Sequence, residues 1–393
     1  MISQIGIFWL LCAVQLRAGK RFLHISDLHY DPHYRPSSNP NDECCHRGTG
    51  SSGKFGQLAS NSISQCDSPQ SLLDSAFSFI KNTFPDLEFI IWTGDNARHD
   101  LDSKIPRTPQ EILTCNKFVM QRYFTPLSSK MIIIPSIGNN DIFTSKKNGM
   151  VELEIGPNHA LENLYSLWKS FIPIPSVYSF LVYGSFVVKV RKNWHVFSLN
   201  TLYFWQRNTV EDCNATLSPG SKLLRWMDSE MSKIATSGGK ILLTGHVPPL
   251  PEHYKEHCLT KYLELVKKYS FTIEGQLFGH LHCDEWFVQQ NGTKPFGALF
   301  VNSSVRPHYN PSFRIFEYDE AEGKLRDYSQ YIFPIQTPNK KLAFWEFEYS
   351  FTKAYNVTSL SLEQVQKAYK NVSNQLEYSQ KYQKYKKIST QNT

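Results

Sequence analysis

The chain has 393 residues, 41% of them hydrophobic and 20% charged, with a formal net charge of +7. This is a globular composition of one large domain or two ordinary ones, without internal repeats or low-complexity tracts, and it excludes a largely disordered chain. The mild positive excess suits an anionic substrate but is too small to require nucleic acid as a partner.

Residues 1–18 read as a targeting segment. Ile5 to Leu16 is almost continuously apolar, and Ala18-Gly19 offers a small-residue cleavage point. The run is short for a bilayer span, so a cleaved signal peptide is expected, with a signal anchor as the alternative because Lys and Arg are missing at its start. No later stretch is apolar enough to cross a membrane. Beyond Cys12 lie Cys44, Cys45, Cys66, Cys115, Cys213, Cys258 and Cys283. With a signal segment they point to disulfides in the secretory pathway and, being odd in number, to at least one unpaired thiol. Sequons at Asn214, Asn291, Asn302, Asn356 and Asn371 make glycosylation an expectation.

Arg21–Ser26 is the first strand candidate, followed at once by Asp27-Leu28-His29. Residues 30–67 are irregular; a loop of that length needs fastening, and a Cys45–Cys66 bridge would supply it. Cys213–Cys258 is the second pairing expected. A helix is expected over 69–83, with Ser68 as N-cap and Pro69 at its first position. Phe89–Trp92 is a buried strand that runs into Gly94-Asp95-Asn96. Thr108 to Glu111 reads as a capping box opening a second helix. Met131–Ile134 is a strand ahead of Gly138-Asn139-Asn140-Asp141. A helix follows over 158–171, then strand-like segments over 177–190 and 194–200, and a helix near 220–235.

The strand Lys240–Leu243 leads to Gly245-His246. A helix near 257–268 precedes the strand Gln276–Phe278 and Gly279-His280-Leu281-His282. Strands are expected at 285–289, 297–302 and 313–318. Phe344–Phe351 is a further strand or docked segment, and 359–388 reads as a solvated polar helix. The expected organisation is a signal segment at 1–18, one catalytic domain at 19–335 and a C-terminal extension at 336–393. Strands alternating with helices imply an α/β fold of open sheets, with polar clusters at the carboxyl ends of five strands, where such sheets keep their ligands.

Singly, each cluster reads as an ordinary turn. In this order, each after an apolar strand, they suit a pair of divalent cations: imidazole and carboxylate bind Zn, Mn or Fe, and carboxamide oxygen is a weaker, neutral ligand. In Asp27-Leu28-His29, alternate residues of an extended segment would point the same way and reach one ion. Glycines beside the ligands permit close backbone approach.

The series D-x-H, GD, GN, GH and GHxH resembles the calcineurin-like metallophosphoesterases. "FLHISDLHYDPHY", "CHRG", "IWTGDNARHD", "PSIGNND", "LNTLYF", "GHVPP" and "NPSFRIFEYD" resemble the acid sphingomyelinase-related branch, and within it the fungal vacuolar endopolyphosphatases. The resemblance covers roughly residues 21–350. It implies a four-layer α/β/β/α sandwich with two divalent metal ions. Asp27, His29 and His282 would hold one ion, Asn139, His246 and His280 the other, and Asp95 would bridge them. Hydroxide between the ions would attack phosphorus.

The family's usual His after the metal-binding Asn is here Asn140, which cannot act as a general acid. Either His99 serves instead, oriented by Asp100, or the leaving group is phosphate and needs no proton. Arg98 and Arg107, with Asn140, would bind the anionic substrate, and Arg47, Lys54, Arg306 and His308 could line the same opening. The implied activity is endopolyphosphatase cleavage of phosphoanhydride bonds in inorganic polyphosphate, in a vacuole- or lysosome-like lumen or outside the cell. A phosphodiesterase acting on soluble esters and a catalytically silent metal-containing binding protein are the alternatives. Ligand types do not choose among Zn, Mn, Fe and Co, and oligomeric state is not legible.

Overall fold

Short strands that are apolar along their whole length need cover on both faces. The computed structural model describes residues 19–39, 44–50, 52–56, 65–145, 150–151, 158–335 and 344–386, and supplies that cover. The expected targeting segment at 1–18 lies outside the described residues. β1 (Lys20–Ile25) is followed by a long loop, α1 (Gln70–Thr83), β2 (Phe89–Trp92), α2 (Pro109–Val119) and β3 (Ile132–Pro135). The small strands β4 (Thr144–Ser145) and β5 (Met150–Val151) pair with each other. Then come α3 (His159–Trp168), α4 (Val177–Tyr183), β6 (Phe186–Arg191) and β7 (Trp194–Leu199). The alternation continues through α5 (Pro219–Thr236), β8 (Lys240–Gly245), α6 (Glu256–Lys268) and β9 (Ile273–Phe278). The strands β10 (Glu285–Asn291), β11 (Lys294–Val301), β12 (Ser312–Asp319), β13 (Lys324–Ile332) and β14 (Glu346–Ser350) follow, and α7 (Phe351–Tyr355), α8 (Leu362–Asn374) and α9 (Leu376–Lys386) end the described chain.

Two six-stranded mixed sheets result, ordered β14-β13-β12-β1-β2-β3 and β10-β11-β9-β8-β7-β6. β1, β2 and β3 run parallel in the first, and β7, β8, β9 and β11 in the second. Their inner faces interlock. Trp194 of β7 packs on Tyr318 of β12 with ring centroids 5.2 Å apart, and Ser136 Oγ lies 3.0 Å from Ser198 Oγ. α1 buries Leu72, Leu73, Ala76, Phe77 and Ile80 against one outer face, while α5 and α6 bury Leu223, Met227, Tyr262 and Val266 against the other. This is the expected α/β/β/α sandwich.

Several local expectations change. Residues 177–183, rich in aromatic and β-branched types that favour strands, form α4 instead. The helix buries Phe180, leaves Tyr178 exposed and stops at Gly184, which takes the left-handed conformation at φ 64. Ser68 does not cap α1. Its backbone is paired with the first loop, its N–H donating to His29 O over 2.8 Å, and Pro69 takes the cap position. Thr108 does cap α2, accepting the Glu111 N–H over 3.1 Å, but the Glu111 carboxylate turns to Arg98 rather than back to the cap. β13 was not legible.

The expected glycan on Asn302 is withdrawn: the residue is wholly buried beyond β11, its amide donating to His24 O over 3.3 Å, and no glycan fits there. Asn214, Asn291 and Asn356 are exposed, and Asn371 is half-buried.

The C-terminal segment is more than a solvated helix. β14 extends the first sheet, α8 buries Val365 and Ala368, and α9 sets Tyr382 against Trp286 and Tyr385 against Tyr349. Cys45–Cys66 and Cys213–Cys258 are disulfides, and Cys44, Cys115 and Cys283 are thiols. Among the described residues no helix is long and apolar enough to cross a membrane.

Candidate metal centre

The five polar clusters follow β1, β2, β3, β8 and β9, and their loops meet at one edge of the sandwich. The sheet ladder continues past the strand ends to hold them: Asp27 N donates to Gly94 O at 3.0 Å, His29 N to Asp95 O at 3.0 Å, and Tyr30 N to Asn96 O at 2.7 Å. Asp27 and His29 reach one place, but not through strand alternation, because β1 ends at Ile25. Both residues are left-handed, at φ 53 and 41. Asp95, His280 and His282 are also left-handed, at φ 58, 74 and 57. Such backbone costs on the order of 1–3 kcal/mol per residue and persists where the surroundings impose it, typically at functional sites.

Close approach demands glycine at two points. A Cβ on Gly138 would stand 2.2 Å from Asp95 Oδ1, and one on Gly279 would stand 1.9 Å from Ser26 Oγ and 2.6 Å from Asp27 Oδ2.

The side chains converge tightly. His29 Nε2 lies 3.1 Å from His282 Nε2, 3.6 Å from Asp27 Oδ1 and 3.5 Å from Asp95 Oδ2. His282 Nε2 lies 3.2 Å from Asp27 Oδ1. On the other side, His246 Nε2 lies 3.3 Å from Asp95 Oδ2, 3.1 Å from Asn139 Oδ1 and 3.2 Å from His280 Nδ1. Asp95 therefore stands between two groups of ligand-type atoms. Asp27, His29, Asp95 and His246 are fully or almost fully buried.

The chemistry of this donor set fits cations. His29 Nδ1 must donate to Ala97 O, 3.1 Å away, and His246 Nδ1 to Thr93 O, 2.8 Å away, because carbonyls only accept. Their Nε2 lone pairs then face inward, toward other acceptors. Among the described residues, Asp27 Oδ1 is buried beside them with no hydrogen-bond partner. Acceptors facing acceptors are unfavourable unless a proton or a cation lies between them. Charge is already strained here. Burial acts to raise the Asp27 and Asp95 carboxyls, but His282 and His246 outweigh it at Asp27, as do His246 and His29 at Asp95, and hold both far below the ordinary range. Burial opposes the charge on His246, yet Asp95 and Asp27 raise its pKa to about 9.

A second layer fixes Asp95. Asn140 N donates to its Oδ1 and Asn140 Nδ2 to its Oδ2, both at 2.7 Å, while Asn140 Oδ1 accepts from Arg107 Nη1 at 2.8 Å. Asn140 and Arg107 are buried, so the expectation that they bind substrate gives way to one in which they aim Asp95. Arg98 is corrected likewise. It is buried, its Nε and Nη2 donate to the Glu111 carboxylate at 2.6 and 3.2 Å, and its Nη2 also donates to Ile105 O at 2.7 Å. A guanidinium so committed offers nothing to a phosphate. Arg306 donates to Asp67 and Arg47 to Asp102. His308 stays near the opening, 6.3 Å ring to ring from His282, and Lys54 is exposed.

His99 stacks on His29 with centroids 4.1 Å apart. Its partner is Asp67, not the expected Asp100, whose Oδ1 accepts the Arg107 N–H at 2.7 Å. Burial pushes the His99 pKa down to about 3 against the pull of Asp67.

Two residues were missed. Asp141 ends the "GNND" motif and accepts from the backbone N–H groups of Asp95, Asn96 and Gly138 at 2.8–2.9 Å. Burial, then the neighbouring Asp95, raises its pKa to about 6. Its place in the motif was the available signal. Asp67 follows no strand, and only its position beside Cys66 marked it. Asn96 is structural, accepting from Trp92 Nε1 and donating to Asn116 and Asp141.

A family model for calcineurin-like phosphoesterases matches residues 20–284, and one for the acid sphingomyelin phosphodiesterase C-terminal region matches 294–393. Endopolyphosphatases are similar in sequence. That of Cryptococcus neoformans is 36% identical over 68% of this chain and 43% of its own length. Those of Neurospora crassa and Saccharomyces cerevisiae are 36% and 35% identical, each over 71% of this chain and 39% and 42% of their own. This chain thus spans less than half the length of these relatives. A dimetal phosphatase from Danio rerio aligns with 80% of this chain and 95% of its own at 11% identity and a TM-score of 0.45, too distant to argue from. The calcineurin-like family works with a dimetal centre. With the family model covering most of the two-sheet sandwich, from β1 through the loop that carries His280 and His282, the chain belongs to the calcineurin-like phosphoesterase family.

Proposed function

We propose that the chain is a dimetal phosphohydrolase that cleaves phosphoanhydride bonds of inorganic polyphosphate. The observation that carries the reading is the buried Asp27 Oδ1, which among the described residues has no hydrogen-bond partner and faces inward-turned imidazole nitrogens of His282 and His29 at 3.2 and 3.6 Å, with Asp95 shared between two such groups. Asp27, His29 and His282 would hold one divalent cation, Asn139, His246 and His280 a second, and Asp95 would serve both. Bound there, the cations supply charge neutralisation at phosphoryl oxygens and a nucleophile at neutral pH.

The chain's own residues do the rest. Asn140 and Arg107 hold Asp95 in one rotamer. Ser26 Oγ and the His280 N–H donate to Asp27 Oδ2, turning Oδ1 toward the imidazoles. Asn140 is a neutral amide already donating to Asp95, so it has no proton for a leaving group. A phosphate leaving group needs none, and that favours an anhydride over an alkyl ester. The endopolyphosphatase relatives and the net charge of +7 point the same way. The disulfides suit an oxidising lumen, and the motif resemblance implies a vacuole-type one.

A second reading, a phosphodiesterase, draws on the match of residues 294–393 to the acid sphingomyelin phosphodiesterase C-terminal region. Incubating the purified chain with Mn or Zn and long-chain polyphosphate, then running a gel, separates the two. Progressive shortening is expected. Unshortened polymer beside a hydrolysed nitrophenyl phosphodiester would establish the second reading instead.

A further inference from the structure

His99 is gripped by a carboxylate that lies outside every strand-end motif. Asp67 Oδ2 accepts the His99 backbone N–H over 2.6 Å, and Asp67 Oδ1 lies 2.9 Å from His99 Nδ1. An ionised carboxylate only accepts, so Nδ1 carries the proton. Asp67 is itself buried and immobilised. Arg306 Nε donates to the same Oδ1, and Arg306 Nη2 donates to Gln65 O at 3.0 Å. The preceding residue, Cys66, is bonded to Cys45. The following residue, Ser68, is stitched into the loop of His29, with Asp31 N donating back to Ser68 O at 2.9 Å. His99 in turn stacks on His29 while 26% of its side chain remains exposed.

We propose that Asp67 is a positioning residue for the hydrolysis, acting through His99: it fixes the imidazole as the Nδ1–H tautomer and leaves Nε2 as the nitrogen presented to the reacting groups. The proposal rests on the phosphohydrolase reading above. It extends that reading by giving the disulfide-bound loop a task in turnover.

The geometry makes Asp67→Asn a tautomer probe. Each Asp67 oxygen accepts one N–H from His99, and an amide has a single oxygen. The backbone N–H cannot turn away, whereas the Arg306 side chain that shares Oδ1 can withdraw, so the amide oxygen stays with the backbone N–H. The amide NH2 then faces Nδ1, which has to become an acceptor, and the ring proton moves to Nε2. A misplaced tautomer of this kind is costly in hydrolases that rely on an oriented imidazole.

The test measures kcat and KM on polyphosphate for the wild-type chain, Asp67→Asn, His99→Gln and the double variant, with Mn content recorded for each. Expected is a fall in kcat of about 100-fold or more for Asp67→Asn, with KM and Mn content unchanged. The double variant should be no slower than His99→Gln alone, because the two act as one unit. Wild-type kcat in Asp67→Asn, or losses that multiply in the double variant, overturns the proposal while the function stands. A wild type inactive on polyphosphate and on the diester overturns the function, and the catalytic half of this proposal with it. Should Asp67→Asn fail to fold, long-range proton–nitrogen NMR of the wild type, assigned with His99→Gln, decides the tautomer. A proton on Nδ1 upholds the proposal and one on Nε2 overturns it.

Discussion

Asn140 donates to both oxygens of Asp95, through its backbone N–H and its side-chain amide, each over 2.7 Å. The residue that stands where the family carries histidine thus serves the carboxylate shared between the two ligand groups. Arg107 secures it from behind. That relationship explains how a neutral amide fits a hydrolytic site: it orients Asp95.

Asn140→Ala should therefore weaken cation binding more than it weakens the fold. The expected loss of metal affinity is about 10–100-fold, the range for residues that orient ligands. Titration of the apo chain with Mn, followed calorimetrically, measures it. An unchanged affinity with lowered turnover would return Asn140 to the substrate.

Arg98 should behave as a structural residue. Arg98→Met takes the guanidinium from Glu111, leaving it His33 at 3.6 Å, and opens the backbone contacts at Ile105 and His99. Thermal stability should fall while KM for polyphosphate in the surviving folded protein is unchanged. A raised KM with unchanged melting temperature would contradict the burial argument.

His46 is buried between two carboxylates, with Nε2 2.8 Å from Asp31 Oδ2 and Nδ1 2.7 Å from Asp102 Oδ2. Burial opposes its charge, but Asp31 and Asp102 outweigh it and raise the pKa above the ordinary 6.5. A raised folded-state pKa contributes stability that is whole below the unfolded value and is lost as pH rises through the folded one. The gap in melting temperature between wild type and His46→Gln should thus be widest near pH 5 and should narrow at alkaline pH. A gap that widens with pH would contradict the sign.

Arg314 and Asp284 form a fully buried ion pair, and Asp284 also accepts from Tyr349 OH. Asp284 stands two residues beyond His282, and its N–H donates to Lys386 O of α9 at 3.2 Å. Removing one partner strands a buried charge, at a cost of about 3–5 kcal/mol. Arg314→Met should lower the denaturant midpoint accordingly. A loss below about 1 kcal/mol, the size of a surface pair, would show that water reaches Asp284.

The sandwich and the seven ligand-type residues were legible because both follow from local pattern: apolar strands, then polar residues just past their carboxyl ends, four of them directly after glycine. The arginines were not. Arg98, Arg107 and Arg306 carry the right charge near the right motifs, but whether a guanidinium faces substrate or a buried acceptor depends on Glu111, Asn140 and Asp67, which are distant in sequence or committed elsewhere. The Asp27-Leu28-His29 convergence was anticipated for the wrong reason, since it uses left-handed backbone, which spacing does not reveal. α4 shows packing overriding strand propensity. The terminal helix α9 hid its role because its aromatic contacts, Tyr382 on Trp286 and Tyr385 on Tyr349, join it to β10 and β14.

Metal analysis of the purified chain, loaded with Mn or Zn and desalted, bears most directly on the whole account. Two ions per chain are expected, with polyphosphate shortening abolished on chelation, restored on reloading, and both ions weakened together by Asp95→Asn. Full turnover in a chain holding no ion, or loss of only one ion in Asp95→Asn, would contradict a cage built around that shared carboxylate.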